Sequence, residues 1–272
     1  MAEQWPFVDS IRVSMGKPSR VVVLLVLASM LTGCRLPWGV ERQQATDAVS
    51  ETSQSNEIKV QGLQHLEAGN YNDAYVLLRE AATVLVDDYE VAWGLARTNS
   101  KLGDDIETLD WVNRALELAP DSTEASELKG RTLLRLARFR EAIEVLDGVV
   151  RAHPDYLVAW LNLSAAYNAI DDMEKAVEAA RSATKHSPDS PAAFFALGDL
   201  YLQQNRLADG EQQYHIAIEK DPDHALSYLR LASVYIRRNQ DLDQARSWAI
   251  KSDELDSGDG SAASTAAWVL VL

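Results

Sequence analysis

One cysteine in 272 residues, Cys34, means that no disulfide can close within the chain, so its stability has to come from packing. Positive charge is also scarce. Against 41 aspartates and glutamates stand 26 lysines and arginines, a formal charge of −15. Phosphate backbones are held by basic faces, so this balance argues against a nucleic-acid partner. The apolar stretch at residues 21–31 is too short to span a bilayer, which needs roughly 20 residues. Signatures of catalysis are missing too. There is no P-loop, no glycine-rich dinucleotide turn and no nucleophile elbow. The five histidines (His65, His153, His186, His215, His224) include no pair at metal-ligand spacing. The acidic pairs Asp87-Asp88, Asp104-Asp105 and Asp171-Asp172 fall where turns are expected. The expectation is a protein that is not an enzyme and takes neither cofactor nor metal.

What is present begins with the lone thiol. Lys17 and Arg20 precede the short apolar run and Thr32-Gly33-Cys34 ends it, the pattern of a secretory signal peptide. Leu31-Thr32-Gly33-Cys34 resembles the lipobox of bacterial lipoproteins. That resemblance implies cleavage before Cys34, a diacylglycerol on its sulfur and acylation of its new amine. Several chains anchor stably where one is marginal, at about 0.8 kcal/mol per buried methylene. The alternative is a buried free thiol. Residues 1–33 are expected to be the signal peptide, with Met15 as the more typical start because Glu3, Trp5 and Asp9 are foreign to a basic leader. Its removal takes away Arg12, Lys17, Arg20, Glu3 and Asp9 and leaves 23 basic against 39 acidic side chains. Arg35, rather than aspartate, follows the cysteine; by resemblance to enteric lipoproteins this favours the outer membrane, facing the periplasm, with the inner membrane as the alternative. Residues 34–54 have few apolar side chains and no period, and are expected to form a flexible tether.

From Ser55 the chain repeats. Pro120, Pro154, Pro188 and Pro222 recur every 34 residues, each followed by aspartate (Asp121, Asp155, Asp189, Asp223). This sets frames at 55–88, 89–122, 123–156, 157–190, 191–224 and 225–259, with one residue inserted near Asn239-Gln240-Asp241. Three columns of small residues keep step. One is Gly62, Ala96, Gly130, Ser164, Gly198 and Ala232; another is Ala74, Thr108, Ala142, Ala176 and Gly210; the third is Ala81, Ala115, Val149, Ala183 and Ala217. Small residues let the two helices of one unit approach closely. Trp160, Phe194 and Tyr228, with Tyr167, Tyr201 and Tyr235 seven residues later, lie on one helical face as core. Proline ends the second helix, and the aspartate after it is expected to cap the next.

The period and columns resemble the tetratricopeptide repeat, a helix–turn–helix of 34 residues, over 55–258. "AWLNLSAAYNAIDDMEKAVEAARSATKHSPDS" is particularly similar to it; the first frame is weaker, with Ile58, His65 and Val86 in place of the usual aromatics and proline. The resemblance implies an all-α, right-handed superhelical solenoid of six repeats. Residues 260–272 are expected to add a capping helix, whose remaining face (Trp268, Val269, Val271, Leu272) is apolar enough for self-association into a homo-oligomer.

In this family the concave surface formed by the first helices holds a peptide. Carrying its groove-facing places across gives a basic half, Arg97, Lys101, Arg131 and Arg135 with Trp93 beside them. The other half is an apolar strip of Leu161, Phe195, Leu202, Leu226, Leu229 and Ile236. Two readings of these residues stand. Either they meet an acidic client with apolar anchors, or Glu124 and Glu127 neutralise the arginines and the leucines pack between repeats. The carboxylate clamp of chaperone adaptors is absent, since Lys59 is followed by Leu63, Gly94, Glu124 and Leu128 where the clamp needs further polar residues. Six repeats behind a lipobox resemble the outer-membrane lipoproteins that help assemble type IV pilus secretins, and those that organise peptidoglycan enzymes or outer-membrane assembly. The expected function is a membrane-anchored scaffold recruiting a protein or peptide client. The alternatives are a self-associating structural lipoprotein and an accessory subunit of a polysaccharide export machine.

Overall fold

The structure is a computed structural model that describes residues 38–239 and 241–255. The chain divides into two compact units, residues 1–54 and 55–272. Twelve helices and no strand occur among the described residues. In chain order they are α1 (Trp38–Glu67), α2 (Tyr71–Ala82), α3 (Tyr89–Leu102), α4 (Asp105–Leu118), α5 (Thr123–Arg135) and α6 (Phe139–Ala152). The second half holds α7 (Leu157–Ala169), α8 (Met173–His186), α9 (Pro191–Gln203), α10 (Leu207–Lys220), α11 (Ala225–Arg238) and α12 (Leu242–Leu255). Each 34-residue frame thus contributes one helix pair, A then B, and the all-α solenoid expected from the repeat is what the chain forms. None of the described helices is long and apolar enough to cross a membrane.

The tether expected over 34–54 is corrected from Trp38 onward, where α1 begins and runs for 30 residues. Between Gly39 and Gly62 there is neither proline nor glycine, and Glu41, Arg42, Gln43, Gln44 and Ala45 are good helix formers. The side chains from Asp47 to Gln54 are exposed. A helix so placed needs no apolar stripe, which is why periodicity is silent about it. The lipobox, Cys34, the expected start at Met15 and the expected cap at 260–272 all lie outside the described residues.

Each frame, numbered from 1 to 34, turns at one recurring position. Position 15, between helices A and B, is left-handed in all six repeats: Gly69, Gly103, Ala137, Asp171, Asn205 and Asn239 have φ between 49° and 83°. In five of them the next amide donates back to the carbonyl of position 11, as Asp104 does to Asn99 at 3.0 Å and Arg206 to Tyr201 at 2.8 Å. This 6→1 bond closes helix A and reverses the chain in three residues.

Capping corrects another expectation. The side chains that cap the second and third A helices come from the residue one place beyond the aspartate column. Asp88 and Ser122 accept from the amides of Val91 and Ala125 at 3.1 and 3.3 Å. Asp189 pairs instead with Lys220 at 2.8 Å. At the inner turn Asp104 and Asp172 accept from Glu107 and Lys175, so half of each acidic pair is a helix cap.

Inside each pair, size at position 8 matches size at position 24. A methyl on Gly62, Gly130 or Gly198 would stand 2.8, 2.5 or 2.6 Å from Leu78, Leu146 or Tyr214. Ala96 instead shares its pair with Val112, Ser164 with Ala180 and Ala232 with Ala249. Trp160 and Tyr228 donate to the carbonyls of Pro154 and Pro222, tying helix A to the proline that ended the previous repeat. The largest core cluster runs without a break from Ala96 through Leu128, Leu146 and Leu163 to Ala179. Neighbouring A helices pack side by side (α5 on α7, α7 on α9, α9 on α11), and no two B helices approach comparably. The A helices therefore line the inner, concave side of the described solenoid.

Candidate functional site

The candidate groove residues occupy positions 2, 5, 9, 12 and 13 of the A helices. In the second and third repeats the expected cations are there, but most are engaged. Arg97 pairs with Glu67 at 2.8 Å. Arg131 lies 3.5 Å from Glu127, and Arg135 donates through Nε to Asp105 at 2.6 Å. Lys101 is exposed and no carboxylate pairs with it among the described residues. The acids of these pairs are Glu127, Asp105 and Glu67, and Glu124 is in none of them. Glu127 is 7% exposed, and burial pushes its carboxyl above the ordinary range even though Arg131 and Asn162 favour the charged form. Trp93 is partly buried against the central core. Lys59, on α1, is held by Asp88 and Glu90 at 2.9 and 2.8 Å.

The apolar strip is corrected in part. Leu202 and Leu229 are buried, Leu202 in one cluster with Tyr214, Leu231 and Val234. Leu202 is core because Leu231 and Val234 of the next A helix cover it. Ile236 packs toward α12, against Ala232 and Ala249. Phe195 is half-buried, its ring 5.9 Å from Tyr214 and 5.3 Å from His224. Leu161 is half-buried, and Leu226 remains open, 48% exposed.

The floor that is exposed is made largely of residues the sequence reading passed over. Val158 is 46% exposed, and Ala165 and Ala169 on the same helix are exposed as well. Ala192 and Ala196 on α9 are half-buried. Ala165 and Ala169 stand at positions 9 and 13 of the fourth repeat, where the second and third repeats carry Arg97, Lys101, Arg131 and Arg135. The signal was available in the same columns that yielded the basic quartet, as alanine instead of arginine.

Beyond it lies a cavity of about 310 Å³, lined by Asp199, Leu202, Gln203, Arg230 and Arg237. Asp199 accepts from the fully buried Tyr214 hydroxyl at 2.7 Å and from Arg230 Nε at 2.8 Å. Burial, then the charge of Asp199, pushes the Tyr214 phenol well above its usual value, so it stays a donor at any physiological pH. Arg237 donates only to the Leu202 carbonyl, at 3.4 Å. A second, mixed-charge cavity lies on α8 and the turn before α10, lined by Glu174, Glu178, Arg181, Lys185 and Arg206 among others. No group of three His, Cys, Asp or Glu that could hold a metal occurs among the described residues.

Residues 128–191 and 195–260 match the tetratricopeptide-repeat family model. No curated protein matches the sequence. Among solved structures, PilF of Pseudomonas aeruginosa is 17% identical with a TM-score of 0.63, covering 82% of this chain and 99% of its own. A thermophilic repeat protein of Thermus thermophilus is 23% identical with a TM-score of 0.58, covering 68% and 100%. A double mutant of MamA from Desulfovibrio magneticus RS-1 is 24% identical with a TM-score of 0.58, covering 62% and 94%. At these identities the likeness is one of fold.

Proposed function

Because residues 128–191 and 195–260 are tetratricopeptide repeats, we propose that this chain is a lipid-anchored, periplasm-facing scaffold that recruits a protein client through its concave groove, without a chemical step of its own. The observation that carries the reading is the uncovered apolar floor of repeats four to six, from Val158 through Ala165 and Ala169 to Leu226. Apolar surface gathered on the inner face of a repeat array, with charge on both flanks, is what a partner segment would cover. The lipobox at Leu31–Cys34 supplies the anchor, and in the sequence it is followed by the helix Trp38–Glu67, which runs into the first repeat. Anchoring confines the groove to one membrane face and raises the client's local concentration there. The resemblance to envelope-assembly lipoproteins points to a client of that class, such as a pilus secretin.

One experiment tests both halves. A photocrosslinking amino acid is placed at Ala165, or at the exposed Glu144 on a B helix as control, in the full chain produced in bacteria. The expected result is a discrete adduct from position 165, absent from 144 and recovered with the membrane fraction, and its release from that fraction by Cys34→Ser. Equal crosslinking at both positions would overturn the groove reading, and membrane recovery unaffected by Cys34→Ser would overturn the anchor.

A further inference from the structure

We propose that the cavity between repeats five and six receives the carboxylate of an aspartate or glutamate side chain on a partner segment lying in the groove, with Arg237 as the pairing cation. This rests on the groove reading and specifies what the groove selects.

Arg237 has no carboxylate partner among the described residues. Position 13 of the A helix is arginine in repeats three and six, Arg135 and Arg237. Arg135 finds its acid at position 17 of the preceding repeat, Asp105, 2.6 Å from Nε. For Arg237 the same place is occupied by Leu207, which belongs to the core beside Tyr214. No carboxylate of the described residues replaces it, and its one hydrogen bond, to the Leu202 carbonyl, is long at 3.4 Å.

The nearest acid in the cavity is already committed. Asp199 is fixed by the Tyr214 hydroxyl at 2.7 Å and by Arg230, whose Nε and Nη2 reach it at 2.8 and 3.3 Å. Arg230 in turn lies over the Phe195 ring, 5.7 Å from its centre. Asp199 and Arg230 cancel, and the cavity keeps one net positive charge, that of Arg237.

The chemistry of the wall selects the ligand. A guanidinium fork matches a planar carboxylate in two parallel bonds. A phosphate dianion would bring a second negative charge beside Asp199 with no cation left to meet it. Gln203 adds an amide donor, and Leu202 gives the methylenes of an acidic side chain an apolar surface. A volume of about 310 Å³ is at the lower bound for small-molecule sites and suits one or two side chains. Leu226, on the same helix as Arg237, stays exposed and continues the apolar floor. The matching segment therefore carries an acidic residue and, about three helical turns away along the groove, an apolar anchor.

The test is selection of random 12-residue peptides, displayed with their C-termini fused so that no terminal carboxylate is offered, on the full-length chain in detergent. Parallel selections use Arg237→Glu and Arg237→Gln, whose helicity is checked against the parent. The expected outcome is enrichment of Asp or Glu at one fixed offset from apolar residues. That enrichment is lost with Arg237→Gln and replaced by Lys or Arg with Arg237→Glu, and the best acidic peptide binds Arg237→Glu at least about tenfold more weakly. Peptides selected without an acidic preference, or with one indifferent to Arg237, would overturn the inference and leave the groove reading standing. Recovery of no peptide would overturn both. A synthetic peptide that needs its free C-terminus and no acidic side chain would overturn the assignment to a side chain.

Discussion

Glu127 shows how burial and charge divide at the scale of one residue. It sits inside the groove wall with Arg131 3.5 Å away and Asn162 donating at 2.9 Å, yet its carboxyl is shifted upward because lost hydration outweighs both partners. A carboxyl whose folded pKa is raised favours folding when protonated. Its contribution is complete below the ordinary carboxylate value and is lost as pH rises through the raised one. Glu127→Gln removes the charge and keeps the shape, and Arg131 is exposed enough to stay hydrated. The variant is expected to be more stable than the parent at pH 7, by on the order of 1 kcal/mol, and equal to it near pH 3, as read from urea midpoints at the two pH values. A variant less stable at pH 7 would show that the arginine pair dominates.

The recurring element is the left-handed residue at position 15 and the bond that closes helix A behind it. Five of the six repeats place glycine, asparagine or aspartate there; the third places Ala137 at φ 56°. A Cβ in this region costs roughly 1–2 kcal/mol, partly offset by the greater chain entropy of glycine. Ala137→Gly should therefore stabilise by about 0.5–1 kcal/mol. Gly103→Ala should cost about 1 kcal/mol by backbone strain alone, because a methyl there meets nothing within 4 Å. Thermal unfolding of both variants decides it; equal shifts of one sign would mean that the turn tolerates either backbone.

At the scale of the array, each described repeat packs on its neighbours in sequence, so the described helices are held by a chain of local interfaces. Leu146 fills the pocket left by Gly130 at the middle of the largest cluster. Leu146→Ala should cost about 2–5 kcal/mol and, in a linear array, do so locally. Hydrogen exchange is expected to quicken most in α5 and α6, while α9 to α11 keep their protection. A uniform loss of protection across all twelve helices would show a cooperative unit larger than neighbouring repeats.

What was legible in the sequence was whatever repeats. The prolines at 34-residue intervals and the small columns at Gly62 and Ala74 report steric demands that each unit meets alone, so they survive in one dimension and determine the solenoid. The left-handed turn escaped because glycine, alanine, aspartate and asparagine share a backbone conformation, and it is the conformation that recurs. The helix from Trp38 escaped because exposed helix carries no stripe. The groove could only be half read. Position 13 holds an arginine in both the third and sixth repeats, and the helix alone cannot say that Arg135 meets Asp105 while Arg237 faces Leu207. Nor can it say that Leu202 is covered by the next A helix while Ala165 stays open. Those outcomes depend on residues about 30 places away in the preceding or following repeat. The sequence by itself therefore determined the fold, the period and the charge, which are sums over local patterns, and tertiary structure alone decided which groove side chains remain free to bind, because pairing and burial are properties of neighbours brought together only by stacking.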